Sequence, residues 1–415
     1  MWLRLISTFI ALIMVPAIAS AGDGTVTLKE LEAEALKNNP EIAMTGKKAE
    51  AADEKKSLAS AMPDPMIGYM IQNVGGFNRS TIGIEPMSME GFVVTQEIPF
   101  PGKLSTKGSA AYMMAEQSHE TARETRLKVV NDLRKAYYEY YLAYESSRIL
   151  EETKDLMKNV ERIAETRYAT GQGSQQDVLR AQLEISMLLD RLAEQEQKKE
   201  SKSAEINALA GRDPLAPLGR PVDVLPLTLG MTLEEMNRMA LAHSPILAAK
   251  HRMVEQSEFE LSLSKREYLP DFTVSAARFT RGDLANVYQA SVMLKVPLYF
   301  WNKSTGVRSA NAELSSARYD LEAAKLMIMA RVRDLYATAK TSEHHLQLYE
   351  SGIIPQARLA LQSATSNYQV GKTDFLGLLD SENLLLKYQL MEQEELVNLH
   401  KTLAMISEMT GEEHK

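Results

Sequence analysis

The chain repeats itself, and this repeat limits its possible folds more than any other feature. Thr27-Leu28, Ala35-Leu36 and Asn39-Pro40 recur as Thr232-Leu233, Ala240-Leu241 and Ser244-Pro245. Pro63-Asp64 recurs as Pro270-Asp271, and Tyr168-Ala169-Thr170-Gly171 as Tyr368-Gln369-Val370-Gly371. Pro99-Phe100-Pro101-Gly102-Lys103 has a weaker echo in the stretch from Pro297 to Lys303, and each copy closes on a glycine, Gly211 or Gly411. One shared order at a spacing of roughly 200 residues marks two copies of a single unit. The copies are expected over 22–212 and 231–411, joined by a proline- and glycine-rich linker over 213–230 and followed by a tail, 412–415.

Within each copy the periodicity changes twice. A helical stretch, about 28–61 and then 233–268, gives way near a proline to alternating segments. Tyr288, Ala290, Val292, Leu294 and Val296 alternate with Gln289, Ser291, Met293 and Lys295, the period of two of a strand with one apolar face. Strands are predicted over about 65–72, 91–98, 271–280 and 288–297. Long helices follow, over about 103–170 and 174–210, then 303–370 and 374–410. A helix of about 65 residues is roughly 100 Å long. Apolar stripes at Val129, Leu133, Ala136, Tyr140 and Ala143 argue for coiled-coil-like packing, as do Val178, Ile185, Leu189 and Leu192, and Leu376, Leu379, Leu386 and Leu390. Gly171 and Gly371 mark the points where the long helices turn back.

Four strands are the crux. Lipid tolerates strands only in closed barrels, whose smallest natural examples have about eight. Four cannot close alone, so strands in a membrane require several copies of the chain, and three would give twelve. Alternation by itself does not say whether lipid or a protein core meets the apolar face. A four-stranded sheet in a secreted helical protein carries the same pattern.

The N-terminus bears on where the chain goes. Arg4, the apolar run from Ile6 to Ala19 and the small residues Ala19-Ser20-Ala21 have the form of a cleaved secretory signal over 1–21. Its apolar run is short of the ~20 residues of a membrane span. With no cysteine, the chain has no disulfide, no thiolate metal site and no thioether lipid anchor. A net charge of -8, without a basic cluster, argues against a nucleic-acid partner.

Together these features resemble the TolC family of outer-membrane efflux proteins. The residues that carry the resemblance are Gln96-Glu97-Ile98-Pro99-Phe100-Pro101-Gly102-Lys103-Leu104, where strand meets helix, and two turns. The turns run from Arg167 through Gly171 to Leu179, and from Tyr368 through Gly371 to Asp380. The Pro-Phe-Pro-Gly junction and the methionine-rich first copy resemble the heavy-metal branch of the family, which serves resistance-nodulation-division pumps. The resemblance implies an α+β membrane protein of two repeats, each a strand pair plus long helices. Three chains would form a twelve-stranded outer-membrane β-barrel continued by a periplasmic α-helical barrel. It also implies a periplasmic adaptor and an inner-membrane pump as partners, outer-membrane lipid around the barrel, no cofactor and no enzymatic activity. The cargo would be copper, silver, cobalt, zinc or cadmium; drugs, or proteins of a type I secretion system, are the alternative.

Site candidates follow. Pro99, Pro101, Gly102 and Pro297 fall at the junction of barrel and helices, where proline ends a ladder or begins a helix. Asp380, Asp374 and Asp177 lie just after the turns, either as rings of carboxylates that narrow a cation path or as helix-start aspartates held by the dipole. Tyr368 matches a family position implicated in holding the tip closed, while the arginine that relatives can carry beyond the glycine is Thr373 here. Met62, Met66, Met70, Met87 and Met89 surround the first strand pair, as soft ligands for copper or as plain packing. His344 and His345 are adjacent on a helix, point about 100° apart and cannot share an ion. No hydrolase constellation appears. A pore-less coiled-coil scaffold would explain the helices but not the matching strand pairs.

Overall fold

The computed structural model describes residues 24–75 and 80–411, so the expected signal segment and the tail lie outside the described residues. The first copy contains β1 (Thr25–Val26), α1 (Leu28–Asn38), α2 (Pro40–Ser60), β2 (Met66–Gln72), β3 (Met89–Ile98), α3 (Lys103–Ala169) and α4 (Gln175–Leu209). The linker contributes β4 (Arg220–Pro221). The second copy contains α5 (Leu233–His243), α6 (Pro245–Arg266), β5 (Asp271–Arg281), β6 (Leu284–Lys295), α7 (Phe300–Leu348), α8 (Ile354–Gln369) and α9 (Phe375–Thr410).

The two copies start helices by the same chemistry. Thr27 and Thr232 cap α1 and α5, each in a reciprocal box with the glutamate three residues on, Glu30 or Glu235. Pro40 and Pro245 then begin α2 and α6, where a missing N–H costs nothing. At its C-terminal end the second unit closes on Gly411, left-handed at φ 68°.

Three findings depart from the sequence expectation. The linker is not merely a connector, because β4 pairs in parallel with β1 (Thr25 with Arg220, Val26 with Pro221) and ties it to the first copy. Two residues are too few to show an alternation. The helix expected over 303–370 is interrupted by a π-helical turn, Tyr349–Ile353. Pro355 lies just beyond it; its ring conflicts with the carbonyl four residues back, and the wide turn accommodates the misfit. The stripes of the return helices are offset in part: Leu386 is buried and Val178, Ile185, Leu192, Leu379 and Leu390 pack against the buried cluster as expected, but Leu189 and Leu376 do not. In α9 the buried positions near its start are Phe375, Leu378 and Glu382, while Leu376 is exposed. In α4 they are Ala181, Glu184 and Leu188, while Leu189 is exposed. Leucines occur around much of these helices, so the periodicity alone does not select a face. The α3 stripe lies as expected: Val129, Leu133, Ala136, Tyr140 and Ala143 are all buried.

With 67 residues, α3 is roughly 100 Å long. Apolar clusters follow its length. One joins α3 to α1 around Leu31, Leu133 and Tyr137, and another joins α5, α6, α7 and α9 around Met236, Leu335 and Leu399. A third, at the turning end, joins α3, α4, α8 and α9 around Met157, Leu188, Leu361 and Leu378.

The four longer strands form one antiparallel sheet in the order β2-β3-β5-β6. β6 starts at Leu284, earlier than its clean alternation, because Gly282 (φ 66°) lets the chain reverse tightly and pair Arg281 with Leu284. A Cβ at Gly91 would lie 2.0 Å from the Arg278 carbonyl oxygen and 2.6 Å from the Phe279 Cα. We expect Gly91→Val to prevent β3 from pairing with β5 and to abolish outer-membrane accumulation, as read by immunoblot of membrane fractions. Wild-type levels would show that the strands do not approach this closely.

Candidate functional site

Two places gather the candidate residues, the sheet and the turning end of the helices, and an ion pair with a buried lysine joins the sheet to the long helices. In an antiparallel sheet, directly opposed residues share a face. The register therefore aligns Tyr69, Phe92, Arg278 and Tyr288 in one row, Ile67, Val94, Ala276 and Ala290 in the next, and Gln96, Val274 and Val292 in a third. This face is largely apolar and open: Ile67 is 73% exposed, Tyr288 73% and Val292 70%. The opposite face carries Gly68, Gln72, Thr95, Ser275, Gln289 and Ser291. Thr95 and Ser275 hydroxyls bond across it at 3.1 Å. Met66, Met70 and Met89 stand on this more polar face, Met87 is exposed in the preceding loop, and Met62 is exposed before β2. Both β2 and β6 have a strand on one side only.

At the junction, Pro99 and Pro101 follow β3, and Gly102 adopts φ 93° to start α3. Lys103, the first residue of α3, is buried with its Nζ 2.8 Å from Asp271 Oδ1, and it also donates to the Leu269 carbonyl at 3.0 Å. The same Asp271 oxygen accepts the Phe100 N–H at 2.8 Å. One carboxylate thus links the end of β3, the start of α3 and the start of β5. Pro297 lies just beyond β6, and Leu298, Tyr299, Phe300 and Trp301 after it are exposed.

At the turning end, Gly171 (φ 71°) and Gly371 (φ 76°) provide the left-handed residues of both turns. Tyr368, 1% exposed, donates its hydroxyl to Asp177 Oδ2 at 3.0 Å. The Arg167 guanidinium lies 4.7 Å from the centroid of the Tyr368 ring, donates to the Tyr368 carbonyl and reaches the Gln172 carbonyl at 2.9 Å. Phe375 meets the same ring edge-on at 5.5 Å. Burial, followed by the hydrogen bond to Asp177, pushes the Tyr368 phenol up to about 12. The contact therefore binds α8 of the second copy to α3 and α4 of the first.

The aspartates after the turns take different places. Asp177 is engaged by Tyr368. Asp374 caps α9 and accepts the Gly377 N–H at 3.0 Å. Asp380 is exposed. Arg167 is a tip residue the sequence reading did not offer as a site candidate; with Thr373 beyond Gly371 in the second copy, the arginine that reaches the Tyr368 ring comes from the first copy. Of the two adjacent histidines, His345 pairs with Glu395 at 3.1 Å. Among the described residues no three histidines, cysteines, aspartates or glutamates gather to hold a metal.

Known proteins are similar to this chain in sequence and in fold. The family described as outer membrane efflux protein matches residues 31–212 and 237–412, one match for each copy. The cobalt-zinc-cadmium resistance protein CzcC of Cupriavidus metallidurans is 22% identical over 405 residues, covering 96% of this chain and 93% of its own. The outer membrane protein TolC of Vibrio cholerae is 23% identical, covering 90% and 89%. The solved structure of CusC superposes with a TM-score of 0.80 at 16% identity, covering 92% of this chain and 91% of that one. With two family matches spanning both copies and a shared fold over nearly the whole length, the chain belongs to the outer membrane efflux protein family and is an outer-membrane efflux channel.

Proposed function

We propose that three copies of this chain form a passive exit duct for heavy-metal cations, fed by a periplasmic adaptor and an inner-membrane resistance-nodulation-division pump. The observation that carries this reading is the sheet: four strands with one apolar, exposed face and two unpaired edges. Unpaired edges are untenable in lipid, so β6 of one copy pairs with β2 of the next, and three sheets close a twelve-stranded barrel. The apolar face meets lipid and the polar face, with Met66, Met70 and Met89, lines the lumen. The long helices continue the lumen through the periplasm, and the turns at Gly171 and Gly371 form the tip that meets the adaptor. The chain enters the envelope by a signal segment cleaved after about Ala21. The name of the relative from Cupriavidus metallidurans favours cobalt, zinc and cadmium as cargo. The methionines leave room for copper or silver.

Tyr368, Asp177 and Arg167 act as the latch that holds the tip shut. Asp380, exposed and repeated by symmetry, forms the ring through which cations pass. The test is conductance of the purified protein in planar bilayers, with metal and drug sensitivity of a deletion strain. We expect cation-selective channels and a strain sensitive to metals. Absence of channels points to a pore-less scaffold, and sensitivity to drugs alone points to the other cargo class. Asp380→Ala is expected to lower the preference of the channel for cations, read from the reversal potential in a salt gradient. An unchanged potential removes Asp380 from the ring.

A further inference from the structure

Behind the tip, the buried stripes of α4 and α9 border one apolar cluster and contain two carboxylates. On α9 the sequence of buried positions is Phe375, Leu378, Glu382, Leu386, and on α4 it is Ala181, Glu184, Leu188. In each, a glutamate holds a place that its neighbours fill with apolar side chains. Glu382 is 2% exposed and Glu184 is 7% exposed. Among the described residues, neither carboxylate oxygen of Glu382 has a hydrogen-bond partner, nor does Oε1 of Glu184. The surrounding cluster is apolar, with Met157, Val160 and Ala164 from α3 and Leu361 from α8.

Few charges act there. Glu184 and Arg191, both from α4, are the ones that bear on Glu382. Lys387, on α9 itself, lies 5.7 Å from the centroid of the Tyr388 ring. Asp177 and Tyr368, nearer the turns, bond to each other. An ionised carboxylate with no donor in such a place is unfavourable, and a proton removes the charge. Burial first, and then the charge of Glu184, push the Glu382 carboxyl up to about 7, against the opposing pull of Arg191.

We propose that Glu382 is held protonated near Glu184 while the tip is closed, and that releasing this proton to water loosens α9 from the apolar cluster it shares with α3, α4 and α8 and weakens the Tyr368–Asp177 latch at the edge of that cluster. The proposal rests on the tip being the constriction of a duct. Its sign follows from linkage. The closed form binds the proton more tightly than an opened form in which water reaches the carboxylate. Rising pH therefore favours opening, from the ordinary glutamate range up to about 7, and has no further effect above it.

The test uses the mature full-length protein, Glu382→Gln, which keeps the shape but cannot ionise, and Glu184→Gln. Infrared spectra are recorded from about pH 5 to about pH 8, alongside conductance in planar bilayers. The wild type should show a protonated carboxylic acid band that weakens over this range, and the band should be smaller by one carboxyl in Glu382→Gln, since burial also raises Glu124, Glu392 and Glu408. Wild-type conductance should rise up to about pH 7 and then level, while Glu382→Gln stays at the low level throughout. Glu184→Gln should move the rise to lower pH. A band as large in Glu382→Gln as in the wild type, or a pH response that the variant retains, overturns the proposal. The infrared difference needs no conduction: channels without the difference sink the proton site, whereas the difference without channels sinks the duct.

Discussion

Replacing Asp271 with alanine is expected to destabilise the folded chain by about 3–5 kcal/mol, the typical cost of stranding one partner of a buried ion pair. Lys103 is 6% exposed, and among the described residues its ammonium has only Asp271 and the Leu269 carbonyl as partners. Removing the carboxylate also frees the Phe100 N–H, which Asp271 accepts. The damage should fall on the joint between sheet and helices rather than on either part alone. Urea unfolding in detergent, followed by tryptophan fluorescence and by circular dichroism, measures it. The double variant Lys103→Met with Asp271→Leu should recover much of the loss, because no charge is then left buried. A loss under about 1 kcal/mol for the single variant would mean that water reaches Lys103.

The second large effect concerns the tip. Arg167→Ala removes two hydrogen bonds to backbone carbonyls and the contact with the Tyr368 ring. Tyr368→Phe removes only the bond to Asp177. Hydrogen bonds involving a charged group contribute about 1.5–3 kcal/mol each, so either change should shift the closed–open balance by roughly tenfold or more toward open. Combined, the changes should not simply add, because both groups act on Tyr368. Single-channel conductance should rise in each variant, and uptake of a large antibiotic across the outer membrane should rise with it. Channels indistinguishable from wild type would show that these bonds brace each copy internally without closing the duct.

The fold was readable where a residue's neighbours along the chain determine its structure. Alternation from Tyr288 to Val296 marks a strand because successive side chains point to opposite faces, and the proline-free run after Lys103 marks a helix for want of a breaker. Gly171 and Gly371 announce turns by the conformation they permit. The contacts that organise function are different. Lys103 reaches Asp271 across 168 positions, and Arg167 reaches Tyr368 across 201. No local pattern links such partners. Nor does a glutamate at an interior position announce itself: Glu382 follows two buried apolar residues at spacings of three and four, and that spacing was the available signal. In the leucine-rich stretch of α9 the periodicity favoured Leu376 and Leu379, and only packing shows that Phe375 and Leu378 face inward. The pairing of β4 with β1 was hidden for a simpler reason, since two residues form no pattern.

The central claim is that four strands with bare edges are completed by sister subunits in lipid. Native mass spectrometry of the mature protein released from detergent tests it most directly. The account predicts three times the mass of the mature chain, in a complex that needs detergent to stay in solution. A single chain that remains soluble in water without detergent would contradict it.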